Sequence, residues 1–242
     1  MRALIISDIH ANLTALEAVL AESGEFDAVW CLGDLVGYGP NPNECIALVR
    51  SLPNLLCIIG NHDAASLDRI DIEAFNPEAR TAIRWTQNTL DDGSRAFLKS
   101  LPEKIELDKV TLAHGSPRHP VWEYLLDTRT ATLNFDFFST PLCFVGHTHL
   151  PVIYSMSASN HMARLSIPDA NQLLALPDRA IVNPGSVGQP RDRDPRAAFA
   201  LFDTEANLLD YRRVAYNFIE VQDRMAAAGL PKRHIQRLAA GW

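Results

Sequence analysis

Five short apolar runs in this chain end in the same way. Residues 3–6 lead into Asp8-Ile9-His10, residues 28–32 into Gly33-Asp34, and residues 55–59 into Gly60-Asn61-His62-Asp63. Residues 110–112 lead into Ala113-His114-Gly115, and residues 142–145 into Gly146-His147-Thr148-His149. Runs this short and this continuously apolar read as strands buried on both faces. In an open α/β sheet, residues just past the carboxyl ends of strands converge on one crevice. Such a fold therefore gathers Asp, Asn and several His in one place. That inventory is a metal site of oxygen and imidazole donors without thiolate, with more ligands than one ion needs. Paired metals are a hydrolytic device.

The segments between the runs support a layered α/β chain. Residues 13–21 carry apolar side chains at helical spacing, and residues 44–50 form a second helix ended by Pro53. This β-α-β-α-β start implies parallel strands joined by right-handed crossovers. Residues 64–101 read as mainly helical, with Asn76 as N-cap and Pro77 at the first helical position. Residues 104–107 and 110–113 read as strands around a turn at Asp108-Lys109. Residues 152–176 read as exposed strands or a hairpin, residues 197–202 and 208–214 as an antiparallel hairpin, and residues 218–239 as two helical pieces broken at Gly229-Leu230-Pro231. No linker divides the chain, which reads as a single domain over residues 1–242.

The ordered set D-x-H, GD, GNHD, a lone H and GHxH resembles the calcineurin-like metallophosphoesterases, in particular a small prokaryotic-type branch. The motif-bearing stretch runs from Ser7 to about Arg191. The resemblance implies a four-layer α/β/β/α sandwich of two mixed sheets. It implies two divalent ions, with Asp8, His10 and His149 on the first and Asn61, His114 and His147 on the second. Asp34 would bridge them. The D-x-H and G-H-x-H spacings would place each pair on one side of an extended segment, since strand side chains alternate with period two. His62 in the resembling pattern is not a ligand but meets the scissile phosphate. Asp63 would orient it through the other ring nitrogen, or cap the helix that follows. Asn183-Pro184-Gly185-Ser186-Val187-Gly188-Gln189-Pro190-Arg191 resembles a site-closing loop, with Arg191 as a phosphate clamp. Asn61 and His62 would also touch substrate. Asn12, Tyr38 and His119 sit beside motifs, whereas His161 and His234 match nothing and read as surface residues.

The expected reaction is hydrolysis of a phosphodiester or phosphomonoester, by attack of a hydroxide bridging the two metals. Oxygen and imidazole donors suit manganese, iron or zinc. Dinucleoside polyphosphates and phosphoproteins are alternative substrates. Relatives acting on those carry an arginine after Gly-Asp, where this chain has Tyr38. A non-catalytic scaffold of the same fold is a further alternative, disfavoured because every metal and catalytic position is intact. The partner is a phosphate-ester small molecule or nucleotide. A net charge of −7 argues against stable nucleic-acid binding. No run approaches the ~18 apolar residues that span a bilayer. The short apolar run after Arg2, broken at Ser7-Asp8, does not read as a signal peptide. Four cysteines without a C-x-x-C pair point to reduced thiols and a cytoplasmic home. Oligomeric state is left open.

Overall fold

A computed structural model describes residues 1–156 and 161–242. Its strands form two six-stranded mixed sheets. In the first sheet, β1 (Arg2–Ile6) lies parallel to β2 (Ala28–Cys31), and β2 parallel to β3 (Leu55–Cys57). On its other side, β1 pairs antiparallel with β11 (Ala197–Asp203), then β12 (Leu208–Val214), then β9 (Gln172–Ala175). The second sheet has β5 (Val110–Ala113), β6 (Leu142–Phe144) and β10 (Ala180–Asn183) parallel at its centre. The antiparallel strands β4 (Lys104–Glu106), β7 (Val152–Ser155) and β8 (Arg164–Ser166) flank them.

Strand parity builds the layers. In β1, Leu4 and Ile6 face helices α1 (Leu13–Ser23) and α2 (Pro42–Arg50), packing with Leu16, Val19, Ile46 and Val49. Ala3 and Ile5 face the second sheet, packing with Trp30, Leu112 and Phe144. The far side of the second sheet, with Cys143 and Ile181, is covered by α6 (Thr128–Asn134) and Phe135 and Phe138 beyond it. The order is helix, sheet, sheet, helix, as the resemblance implies. All four cysteines are buried and unpaired.

The helical stretch after β3 resolves into α3 (Asn61–Ala65), α4 (Pro77–Thr89) and α5 (Asp92–Ser100). Asn76 caps α4 by accepting from the Ala79 amide at 2.9 Å. Helix α2 starts at Pro42, two residues before the sequence reading placed it. Of residues 152–176, β8 and much of β9 are exposed, but β7 is largely buried because it pairs with the central strand β10. Residues 157–160 of that reading lie outside the described residues. The C-terminal pieces are α7 (Phe218–Ala227) and α8 (Lys232–Ala240), which pack together over Tyr38 and α4. Among the described residues, no helix is long and apolar enough to cross a membrane.

Candidate metal centre

The ends of β1, β2, β3, β5 and β6 meet at one edge of the sandwich, and every donor they carry there is buried. Two groups form, Asp8 with His10 and His149, and Asp34 with His114 and His147; within each, donor atoms lie within 4.8 Å of one another. Asp34 stands between the groups. The His62 amide holds its Oδ1 at 2.8 Å, while Oδ2 lies 3.3 Å from His114 Nε2 and 3.6 Å from His10 Nε2. Asn61 turns its Oδ1 to within 3.1 Å of His114 Nε2, joining the second group.

Backbone carbonyls choose the histidine tautomers. His10 Nδ1 donates to the Val36 carbonyl at 3.0 Å, and His149 Nδ1 to the Gln189 carbonyl at 2.6 Å. A carbonyl only accepts, so both protons sit on Nδ1. The two Nε2 atoms then face each other at 3.1 Å with lone pairs on both. A cation shared between them makes that approach favourable, so the donors fit a metal ion. His114 Nδ1 donates to the Leu32 carbonyl at 2.7 Å and His147 Nε2 to the Trp122 carbonyl at 3.1 Å, which leaves one nitrogen of each for a ligand. Such supporting bonds orient ligating imidazoles. Burial pulls His10 down to about 3 and holds His147 and His149 well below their usual range, so they stay neutral, the ligating form. Burial also pushes Asp8 up to about 7. Burial alone would lower His114, but the Asp34 carboxylate raises it to about 9 in the metal-free site.

The expected extended geometry does not occur. Asp8, His10, Asp34, His147 and His149 all have φ between +48° and +65°, in the left-handed region. Tyr38 and Ala11 share it, so seven of the twelve such non-glycine residues among those described cluster here. Strained backbone of this kind persists only where its surroundings hold it, and it gathers at functional sites. Amide bonds from Asp8 to the Gly33 carbonyl (3.0 Å) and from His10 to the Asp34 carbonyl (2.9 Å) hold the turn. Because the chain has already left the strand, period-two alternation no longer applies. His147 and His149, two residues apart, serve different groups, whereas Asp8 and His10 at the same spacing share one.

His62 lies against this centre between Tyr38 (ring centroids 4.4 Å) and His10 (5.0 Å). Its Nδ1 is buried with no hydrogen-bond partner among the described residues. A Cβ on Gly37 would sit 2.7 Å from that nitrogen, so the ring packs flush on a glycine whose φ is +90°. Asp63 does not orient the ring. Its Oδ1 accepts from the Val36 amide and its Oδ2 from the Gly60 amide, both at 3.0 Å, so it ties the start of α3 to the β2 turn. The reason is local: the third residue of a helix reaches back to its cap more readily than outward to its neighbour's ring. Asp63→Ala would strand two buried amides, each worth about 1–3 kcal/mol. We expect a fall in urea midpoint at unchanged slope; an unchanged midpoint would remove this role.

Arg191 places its guanidinium 5.9 Å from the Tyr38 ring and donates to Gln189 Oε1 at 3.1 Å, while its Nε is buried without a partner among the described residues. Asn12 caps α1 through the Ala15 amide and donates to the Gly188 carbonyl. His119 lines a cleft beside α3 and belongs to neither donor group. His161 is exposed as expected, but His234 is not a surface residue. It is 1% exposed and lies tilted against Tyr38 with ring centroids 4.3 Å apart, because α8 buries the face that also carries Leu238. The i, i+4 spacing of Leu230, His234 and Leu238 is the sequence signal that marks that face. Ser7, whose Oγ donates to Asp8 Oδ2 at 2.7 Å, and Tyr124, stacked on His147 at 3.7 Å, were not singled out from the sequence.

The profile of the calcineurin-like phosphoesterase superfamily domain matches residues 1–207. The chain belongs to the calcineurin-like phosphoesterase superfamily. It is thus a metal-dependent phosphoric ester hydrolase. A metallophosphoesterase from Sphaerobacter thermophilus is 48% identical and superposes over all of both chains with a TM-score of 0.91. An uncharacterized protein of Methanocaldococcus jannaschii is 37% identical over 98% of this chain and 97% of its own. A symmetrical bis(5'-nucleosyl)-tetraphosphatase from Pectobacterium carotovorum is 33% identical over 101 residues, 35% of this chain and 36% of that protein. This phosphoesterase thus shares its whole length with the first two and about a third with the last.

Proposed function

We propose that the protein hydrolyses a phosphoric monoester or diester of a small molecule at a centre of two divalent cations. The observation that carries this reading is the pair of donor groups with Asp34 between them. Asp8, His10 and His149 would hold one cation, and Asn61, His114 and His147 the other, with Asp34 shared. Manganese, iron and zinc suit these oxygen and imidazole donors. When bound, such cations supply Lewis acidity toward phosphoryl oxygens and acidify a water.

The chain's own groups do the rest. Water attacks phosphorus in line with the ester oxygen: a P–O bond to the water oxygen forms, the P–O ester bond breaks, and a proton from the water passes to the departing alcohol. With Nδ1 packed against Gly37, His62 presents Nε2 to the leaving oxygen as a donor. Burial holds this ring neutral, so it acts through its N–H. Arg191 grips a non-bridging oxygen. Arg191→Ala is expected to raise KM by about 10- to 100-fold, the worth of a charge-assisted hydrogen bond, with a smaller change in kcat. Unchanged steady-state kinetics would leave the arginine outside the substrate site.

A nucleotide ester is the favoured substrate class. The local likeness to a symmetrical bis(5'-nucleosyl)-tetraphosphatase supports it, while Tyr38, standing where both tetraphosphatases and phosphoprotein phosphatases carry an arginine, sets this chain apart from either in how it grips phosphate. The test is metal content together with hydrolysis of p-nitrophenyl phosphate and bis-p-nitrophenyl phosphate, with and without manganese after chelation. Two ions per chain and manganese-restored turnover are expected. One ion per chain at full turnover would refute the paired centre.

A further inference from the structure

Beside the metal centre, the loop between β5 and α6 presents two aromatic rings to solvent, Trp122 at 37% and Tyr124 at 45% exposure. Exposed aromatic surface beside a functional cleft marks a place that something covers. The loop that carries these rings is built to be stiff. Glu123 accepts from Ser116 Oγ at 2.6 Å and from Asn134 Nδ2 at 2.9 Å, and it pairs with Arg118. Its backbone is tied to the centre by the bond from His147 to the Trp122 carbonyl.

The rings continue the aromatic lining of the site. Tyr124 stacks on His147, and Trp122 stands edge-on to Phe75 at 4.9 Å, which is in turn edge-on to His62 at 5.1 Å. Trp122 also lines a cleft of about 270 Å³ that touches Ala64, two residues past His62. Arg69, paired with Glu103 at 3.4 Å, and His119 lie in this cleft as polar groups. That volume is just under the ~300 Å³ where drug-sized pockets begin, so the cleft suits one ring system. The Trp122 ring, the polar groups of the cleft and the line of ring contacts from Trp122 through Phe75 to His62 match a nucleobase.

We propose that Trp122 and its cleft form a stacking subsite for the nucleobase of the substrate. The subsite rests on the phosphoesterase reading only for its purpose, not for its ability to bind. Selectivity then lies in the β5–α6 loop, while the strand ends supply the chemistry. Stacking tolerates any base, because every base has a π-face, so the preference is for a base as such.

The test is calorimetric titration of the purified, manganese-loaded protein with adenosine, AMP and ribose 5-phosphate. Adenosine should bind, and AMP should bind at least about tenfold more tightly than ribose 5-phosphate. Trp122→Leu should weaken adenosine by about 5- to 150-fold, the range for one base on one aromatic ring, and Trp122→Phe should restore most of it. No adenosine binding by the wild type, or equal binding by wild type and Trp122→Leu, overturns the subsite. The wild-type comparison stands even if the leucine variant fails to fold. Adenosine carries no phosphate, so its binding is independent of turnover. Loss of hydrolysis with adenosine still bound would defeat the phosphoesterase reading and spare the subsite; intact hydrolysis without adenosine binding would do the reverse.

Discussion

Asp34→Asn is expected to abolish most turnover, by about 10²- to 10⁴-fold in kcat, and to weaken both cation positions together. The side chain is 1% exposed, and its Oδ2 is within 3.6 Å of an imidazole from each donor group. An amide is nearly isosteric but neutral, so the fold should hold while the shared negative charge is lost. Charge stabilisation at a two-metal centre is worth several kcal/mol, and each ~1.4 kcal/mol is tenfold in rate. The Asn side chain can still accept from the His62 amide through its oxygen, which keeps α3 in place. Its NH₂ then points at two groups built to receive a cation. Metal analysis beside steady-state kinetics checks this result. Loss of one ion with the other retained at wild-type affinity would mean that Asp34 serves a single position.

His62→Ala is expected to lower kcat by about 10²- to 10³-fold, the worth of one hydrogen-bond donor aimed at developing charge, with metal content unchanged. The ring touches the centre through His10 and Tyr38, but it lies outside both donor groups. Its backbone amide, not its ring, supports Asp34, so the alanine variant keeps that bond. The loss should be greater for an ester with a poor leaving group than for a p-nitrophenyl ester, whose oxygen departs without help. A variant that loses metal would place the ring among the ligands. Equal losses for good and poor leaving groups would move His62 from the leaving oxygen to the phosphoryl oxygens.

Much of this architecture is written locally. Continuous apolar runs such as Leu4-Ile5-Ile6 mark strands with both faces covered, and parity along them assigns Leu4 to the helices and Ile5 to the other sheet. The caps at Asn12 and Asn76 follow from short-range hydrogen bonding. Other features are invisible in one dimension. The carbonyls of Leu32, Val36, Trp122 and Gln189 set four tautomers, and any residue carries a carbonyl. The left-handed turns at Asp8 and His147 are imposed by contacts with other strands, since neither residue demands them. Helix α8 is amphipathic, which says that it docks but not on what; it places His234 behind Tyr38.

The donor set itself, two aspartates, an asparagine and four histidines at strand ends, belongs to the sequence, because residue type and strand termini are local properties. Its division into two groups belongs to the tertiary structure. Spacing alone would put His147 and His149 together, yet one meets Asp34 and His114 while the other meets Asp8 and His10. The partners that receive the two rings come from strands more than a hundred residues away and from the second sheet's own β5. That separation comes from packing two sheets face to face, where backbone hydrogen bonds between distant segments outweigh the preference of any single residue.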